Sequence, residues 1–260
     1  MGVCTVVISR SAQMLADRSR FEEALIGHLR NRRGLHVLVT PSIYWLTPSA
    51  SALATLRRVS GDIVLASWLH PRAACWILRA HGVEGTCHND EDTPHGETAP
   101  DADARLIRCF NLDNFDSPEA CAEVLLDAVG VSDEETAPSH VEIIDEEVSS
   151  RWYPVLDDSR CINCKQCHDF CLFGAYDLDE RGRVRVSNPD ACKPGCPACA
   201  RICPVKAIMF PHHVDDPVIA GASEAEPVEG HAGADDDTRD DVMPRDELDD
   251  LIDALDDLDV

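Results

Sequence analysis

The chain has 260 residues, 13 of them cysteine, and a formal net charge of −25. No stretch approaches the roughly 18 apolar residues that span a bilayer, and no basic patch with interleaved aromatics appears, which argues against a membrane span and against nucleic-acid binding. The N-terminus lacks the basic start, long apolar run and cleavage site of a secretory signal, and a thiol-rich chain of this kind is expected in a reducing, cytoplasmic compartment.

Residues 3–9 form a short apolar run, expected as a buried parallel strand. Ser19–Glu22 has the form of a capping box, and Phe21, Leu25, His28 and Leu29 then recur at helical spacing until Asn31–Gly34. Leu35–Thr40 is a second strand, followed by the loop Pro41–Pro48. Ser49 or Ser51 is placed to cap a helix that runs to Val59. Ile63–Ser67 is a third strand and Pro71–Ala80 a helix, with Ala74, Ile77 and Leu78 on its buried side. Residues 83–104 are rich in Gly, Pro and acid and read as an exposed excursion. Leu106–Phe110 is a fourth strand, and Ser117-Pro118 opens a helix that stops at Gly130.

Four strand–helix alternations predict an α/β domain over 1–130, a small parallel sheet of flavodoxin-like or Rossmann-like type. Ligands of such folds sit at the carboxyl ends of the strands, and here those ends bring Trp45, Trp68, His70, Arg72 and Asp113 to one edge. Neither the dinucleotide nor the P-loop glycine fingerprint is present. Trp45 and Trp68 are expected to pack at a domain interface, with a small-ligand or tetrapyrrole site as the alternative. Cys4, Cys75, Cys87, Cys109 and Cys121 lie in apolar contexts and are expected to behave as small hydrophobes. Cys87 and His88, with His81 and His95 near in sequence, form a weaker metal candidate.

Residues 131–150 carry seven acidic residues and no Lys or Arg, and read as an acidic linker ending in an extended piece, Val141–Ile144. Beyond it, residues 161–203 hold eight of the 13 cysteines. Cys161, Cys164, Cys167 and Cys171 follow the C-x2-C-x2-C-x3-C spacing that holds a [4Fe–4S] cluster. Cys192, Cys196, Cys199 and Cys203 repeat it with one extra residue in the first gap, where Pro194-Gly195 absorbs the insertion as a turn. An internal repeat accompanies the two runs, since Val155 and Val186 stand the same distance before Cys161 and Cys192. Cys164–His168 also spells a haem-attachment motif, but both of its cysteines belong to the first run. Zinc knuckles pair C-x-x-C units rather than runs of four.

Over residues 151–213 the chain resembles a bacterial-type dicluster ferredoxin, departing from it at Leu172, where Pro usually follows the fourth cysteine, and at the longer gap after Cys192. The resemblance implies a ferredoxin-like α+β module with two [4Fe–4S] clusters. Cluster I is expected on Cys161, Cys164, Cys167 and Cys203, and cluster II on Cys192, Cys196, Cys199 and Cys171, the fourth ligand crossing over. It implies an electron carrier or an electron-transfer subunit of an oxidoreductase, working with a redox partner protein. The alternative is an enzyme, reductase-like or chelatase-like, whose N-terminal domain receives the electrons. Lys165, Lys193, Lys206, Arg160 and Arg201 are expected to give the module a positive rim. His212 and His213, just past the second run, are expected at the surface.

The remainder, 214–260, carries a net −16. Residues 214–243 are expected to be disordered, since Ala, Gly, Glu, Pro and Asp cannot bury a core. In residues 244–260, Leu248, Leu251, Ile252, Leu255 and Leu258 form one apolar stripe on an acidic helix, which is expected to dock on a protein partner.

Overall fold

The structure is a computed structural model that describes residues 4–13, 15–30, 32, 34–87, 105–131 and 139–223. The segment 244–260, His88 and His95 lie outside the described residues.

The apolar runs become a six-stranded, all-parallel sheet. In chain order its elements are β1 (Cys4–Ser9), α1 (Ala16–Leu29), β2 (Leu35–Thr40), α2 (Ser51–Arg58), β3 (Ile63–Ser67), α3 (Pro71–Ala80), β4 (Thr86–Cys87), β5 (Leu106–Asn111), α4 (Pro118–Ala128) and β6 (His140–Ile143). The strand order is β4-β5-β3-β1-β2-β6. The chain leaves β1 toward β2 and then crosses back to β3, so the winding direction reverses between β1 and β3, a topological switch point. Val6, Val7, Ile8, Val37, Leu38, Val39 and Leu65 are fully buried, as expected for strands covered on both faces. One face packs on α2 and α3 through Leu53, Leu56, Ile77 and Leu78, the other on α1 and α4 through Leu25, Leu29, Cys121 and Leu125.

Two parts of this sheet differ from the sequence expectations. Residues 139–150 are built into the domain: β6 pairs with β2 in parallel, and Glu146 accepts hydrogen bonds from Ser51 N (2.9 Å), Ser51 Oγ (3.0 Å) and Ala52 N (3.0 Å). Neither Ser49 nor Ser51 caps α2; Ala50 stands at the cap with no side-chain bond, and the distant carboxylate does the capping. Backbone donors at the helix start hold the Glu146 carboxyl below its ordinary pKa, against the opposing effect of burial. The capping box at Ser19–Glu22 is also absent. The helix starts earlier, at Ala16, and Glu22 is buried, accepting from Ser11 N (2.6 Å) and Trp68 Nε1 (2.7 Å).

Cys109 and Cys121 pack as buried thiols, and burial pushes both up to about 12. Cys75 and Cys87 do not remain separate: their sulfurs meet where α3 approaches β4, with Cα atoms 6.2 Å apart. The chain turns back at Gly82 and Gly85, which brings the two sulfurs together across a separation of 12 residues.

The cysteine-rich segment follows as β7 (Val155–Leu156), α5 (Gln166–Phe170), β8 (Tyr176–Leu178), β9 (Val184–Val186), α6 (Ala198–Ile202) and β10 (Ile208–Met209). The internal repeat appears as strand, cysteine loop, short helix, strand, twice over. The pairs are antiparallel, β7 with β10 and β8 with β9. Residues past Val214, expected to be disordered, form a last helical turn, α7 (Pro217–Ala220). Asp216 caps it by accepting from Val218 N and Ile219 N, Pro217 opens it, and Gly221 closes it at φ 111°. Ile219, Ala220 and Ala222 are buried, which anchors the turn. Among the described residues no helix is long and apolar enough to cross a membrane.

Candidate functional site

The first cysteine loop is bent by two non-glycine residues in left-handed conformation, Asn163 (φ 54°) and Lys165 (φ 63°). Such backbone is costly and persists only where surrounding bonds enforce it. Asn163 supplies them: its amide donates to Gly182 O (3.0 Å) and its Oδ1 accepts from Val184 N (3.0 Å), tying the loop to the β8–β9 hairpin. The second loop has glycine at the corresponding bend, Gly195 at φ 77°. Each loop then feeds a short helix carrying its third cysteine, Cys167 or Cys199.

The result is a cavity lined by Cys161, Cys164, Cys167 and Cys203, with Leu156, Val184, Val205, Ala207 and Ile208 forming apolar walls. Three of these cysteines come from the first run and one from the second. Burial pushes the Cys167 thiol up to about 12, and the neighbouring sulfurs of Cys199, Cys161 and Cys203 add to the rise against a backbone hydrogen bond from His168. The other thiols form a second group. Burial raises Cys199 to about 12, with Cys192, Cys171 and Cys196 facing it. Burial also lifts Cys192 to about 11, with Cys196 and Cys171 adjacent.

This donor chemistry fits a metal centre. Several thiolates crowded into an apolar space repel one another and lack solvation, so they ionise together only around a cation. Hydrogen-bond donors already aim at two of the sulfurs. Ala207 N donates to Cys203 Sγ (3.3 Å), and the buried Tyr176 hydroxyl donates to Cys199 Sγ (3.1 Å). Burial holds the Tyr176 hydroxyl well above its ordinary pKa, so it stays a donor. Asn163 and Tyr176 escaped the sequence reading. The one signal was an Asn inside a cysteine loop, a residue type that tolerates left-handed backbone.

The segment is bolted to the α/β sheet. Arg72, at the start of α3, pairs with Asp157 at 2.7 Å, and both are almost fully buried. Arg72 also donates to Lys206 O (2.6 Å). The Tyr44 hydroxyl donates to Tyr153 O (2.6 Å) and accepts from Tyr153 N (2.8 Å), and the two rings stack at 4.4 Å. His212, expected at the surface, is half-buried with its ring edge-on to Tyr44 and Trp45. Of the residues expected at the strand ends, Trp45 thus joins the interface and Arg72 is structural. Trp68, His70 and Asp113 instead line an open cavity of about 290 Å³ with Ser9, Arg10, Arg18 and Pro211–Val214. Arg18 holds Asp113 through two bonds of 3.0 and 3.1 Å.

Comparison with known proteins decides what the smaller segment is like. A stretch of 61 residues is 46% identical to an uncharacterized ferredoxin of Methanocaldococcus jannaschii, covering 23% of this chain and 41% of that protein. This stretch is similar to ferredoxins. A stretch of 55 residues is 44% identical to the pyruvate synthase subunit PorD of the same organism (21% of this chain, 62% of that subunit). A stretch of 54 residues is 41% identical to a ferredoxin of Pyrobaculum islandicum (21% and 49%). The chain therefore spans less than two thirds of these relatives, and they span about a fifth of it. No protein-family profile and no solved structure matches the chain.

Proposed function

We propose that the chain is an iron–sulfur electron-transfer protein carrying two [4Fe–4S] clusters. Cluster I sits on Cys161, Cys164, Cys167 and Cys203, and cluster II on Cys192, Cys196, Cys199 and Cys171. The observation that carries this reading is the cavity lined by three cysteines of the first run and Cys203 of the second, the crossed ligand set of two-cluster ferredoxins. When bound, each cluster accepts and releases one electron. The chain's own residues exclude water with Val184, Val205, Ala207 and Ile208. Ala207 N–H and Tyr176 O–H stabilise charge on the ligand sulfurs, which favours the reduced state.

Iron and acid-labile sulfide in anaerobically isolated protein test this directly. The expected content is about eight of each per chain. Cys203→Ser should cost the cluster of the first run and Cys171→Ser that of the second. A chain that binds zinc in place of iron, or whose Cys203→Ser variant loses only the second cluster, would contradict the assignment.

A redox enzyme is the partner this reading calls for, and the similarity to a pyruvate synthase subunit supports that class. Phe170, Leu172 and Phe173 stand exposed around Cys171, with Leu172 at 93% exposure, so an apolar contact surface lies beside the second cluster site. The acidic segment 244–260, with its apolar stripe in the sequence, supplies a second, tethered contact. Anaerobic capture of partners by the full chain and by a 1–243 truncation tests it: equal capture removes that segment from the account.

The cavity of about 290 Å³ favours a second reading, in which the α/β domain binds a small molecule that receives the electrons. It lies at the carboxyl ends of β1, β3 and β5, beside the switch point, where α/β sheets take their ligands. Native mass spectrometry of the anaerobic holoprotein, with its visible spectrum, tests this reading. A retained organic molecule or a flavin or tetrapyrrole band supports it, and a spectrum of clusters alone with no retained mass counts against it.

A further inference from the structure

A second group of metal-ligating side chains lies on the other edge of the sheet, away from every cysteine of the two runs. His36 on β2 stands in register with His140 on β6, and Glu142 follows two residues later on the same strand face. One donor atom from each of the three lies within 4.8 Å of the other two. The imidazoles of His36 and His140 stack at 5.1 Å between centroids. His36 Nε2 is 3.4 Å from Glu142 Oε2, yet this enclosed nitrogen has no hydrogen-bond partner.

That last pair is the informative one. An imidazole that hydrogen-bonds a carboxylate closes to about 2.7–2.9 Å with its N–H aimed at the oxygen. Two atoms bound to one tetrahedral ion at about 2.0–2.2 Å instead stand about 3.3–3.6 Å apart, with no proton between them. The His36–Glu142 spacing falls in the second range. We infer that His36, His140 and Glu142 form a divalent metal site of the zinc type, with two imidazoles and one carboxylate as ligands.

Three protein ligands leave a fourth position for water or a small anion. A recess of about 240 Å³ lined by Thr5, His36, Thr55, Arg58, Val59 and Ser60 opens beside His36. The ion ties β6 to β2. β6 is an edge strand paired on one side only, and it leads directly to the Glu146 cap and onward to the cysteine loops. The site thus fastens the segment through which the chain passes from the sheet to the cluster module. His36 and His140 are far apart in sequence, so no local spacing motif announces them.

Zn²⁺ titrated into the anaerobic, cluster-loaded full chain tests the inference, with bound metal measured after dialysis and the zinc environment read by X-ray absorption. One equivalent is expected, with a nitrogen and oxygen shell at about 2.0–2.1 Å, no sulfur shell at about 2.3 Å, and no loss of iron. His140→Ala and Glu142→Gln, both at accessible positions of the edge strand, should each weaken binding by about a hundredfold or more. Zinc should also slow hydrogen exchange of the β6 amides in the wild type but not in these variants. The inference is overturned if zinc does not bind, if its shell contains sulfur, or if both variants bind as the wild type does.

Discussion

Arg72 and Asp157 form an ion pair at 2.7 Å with side chains only 3% and 2% exposed, and they hold together two parts of the chain 85 residues apart. Most of the pair's polar atoms are engaged, although Arg72 Nη1 is buried without a hydrogen-bond partner. Arg72 also donates to Lys206 O, while Asp157 Oδ1 accepts from Ser159 N, Ser159 Oγ and Arg160 N. Removing Arg72 leaves the buried Asp157 carboxylate with only the more distant and more exposed Arg160, at 3.7 Å, as counter-ion, and removing Asp157 leaves the buried guanidinium unpaired. Arg72→Met should therefore lower stability by about 3–5 kcal/mol, whereas Arg72→Met combined with Asp157→Asn should cost clearly less than the sum of those two single changes. Denaturant midpoints of the four proteins, taken anaerobically, form the cycle; strict additivity would show that the pair does not couple.

Gly221 makes the second contact of the same kind. A Cβ there would stand 2.6 Å from Ala73 Cβ and 3.3 Å from Ala73 N, on backbone at φ +111°. Gly221→Ala should cost about 1–3 kcal/mol. Gly174, at φ +68° with nothing within 4 Å, is the control: Gly174→Ala should cost only about 1 kcal/mol. Equal losses at the two positions would mean that the approach to α3 carries no weight.

Two histidines set an acid limit on stability. Burial, reinforced by Arg18, lowers His212 to about 4; burial with Arg151 and Arg57 does the same for His81. Above their unfolded pKa of about 6.5 both are neutral in either state and pH has no effect through them. Between about 6.5 and 4 the unfolded chain takes up protons that the folded one refuses. Stability then falls with decreasing pH by up to about 1.4 kcal/mol per unit for each group, levelling off below 4. His212→Gln should flatten that slope between pH 7.5 and 5 by about half of the combined effect. An unchanged slope would show that His212 is not held neutral.

Leu172 tests the contact surface. It is 93% exposed beside Cys171, so Leu172→Asp should leave iron content and folding intact. If partners dock over the second cluster site, the same change should slow electron exchange with a redox enzyme by about tenfold, measured by stopped flow. A variant that exchanges electrons at the wild-type rate places the contact elsewhere.

Much of this architecture is legible in the residues because it rests on local patterns. The strands β1, β2 and β3 are predominantly apolar runs and β5 alternates buried with half-buried residues, and the paired cysteine spacings announce the second module. What escaped depends on distance. β6 and the residues after it look like an acidic linker because Glu142, Asp145 and Glu146 stand out in that stretch; Glu142 is tolerated on an edge strand and Glu146 at the start of α2. Glu146 caps a helix 95 residues away, where no spacing rule reaches. α7 was hidden by its acidic, alanine-rich surroundings, although Asp216-Pro217 and Gly221 are ordinary start and stop signals. Cys75 and Cys87 looked like two core thiols until the turn at Gly82–Gly85 brought them together. The crossed grouping of the cysteines is an expectation from a resemblance; the structure shows that Cys203 lines one cavity with Cys161, Cys164 and Cys167.

The most direct measurement is a reductive titration of the anaerobic full chain, followed by paramagnetic resonance of the reduced protein. Two neighbouring one-electron centres predict uptake of about two electrons per chain and a spectrum broadened by coupling between the two spins. Uptake of one electron with a single uncoupled signal, or no uptake at all, would contradict the two-cluster account.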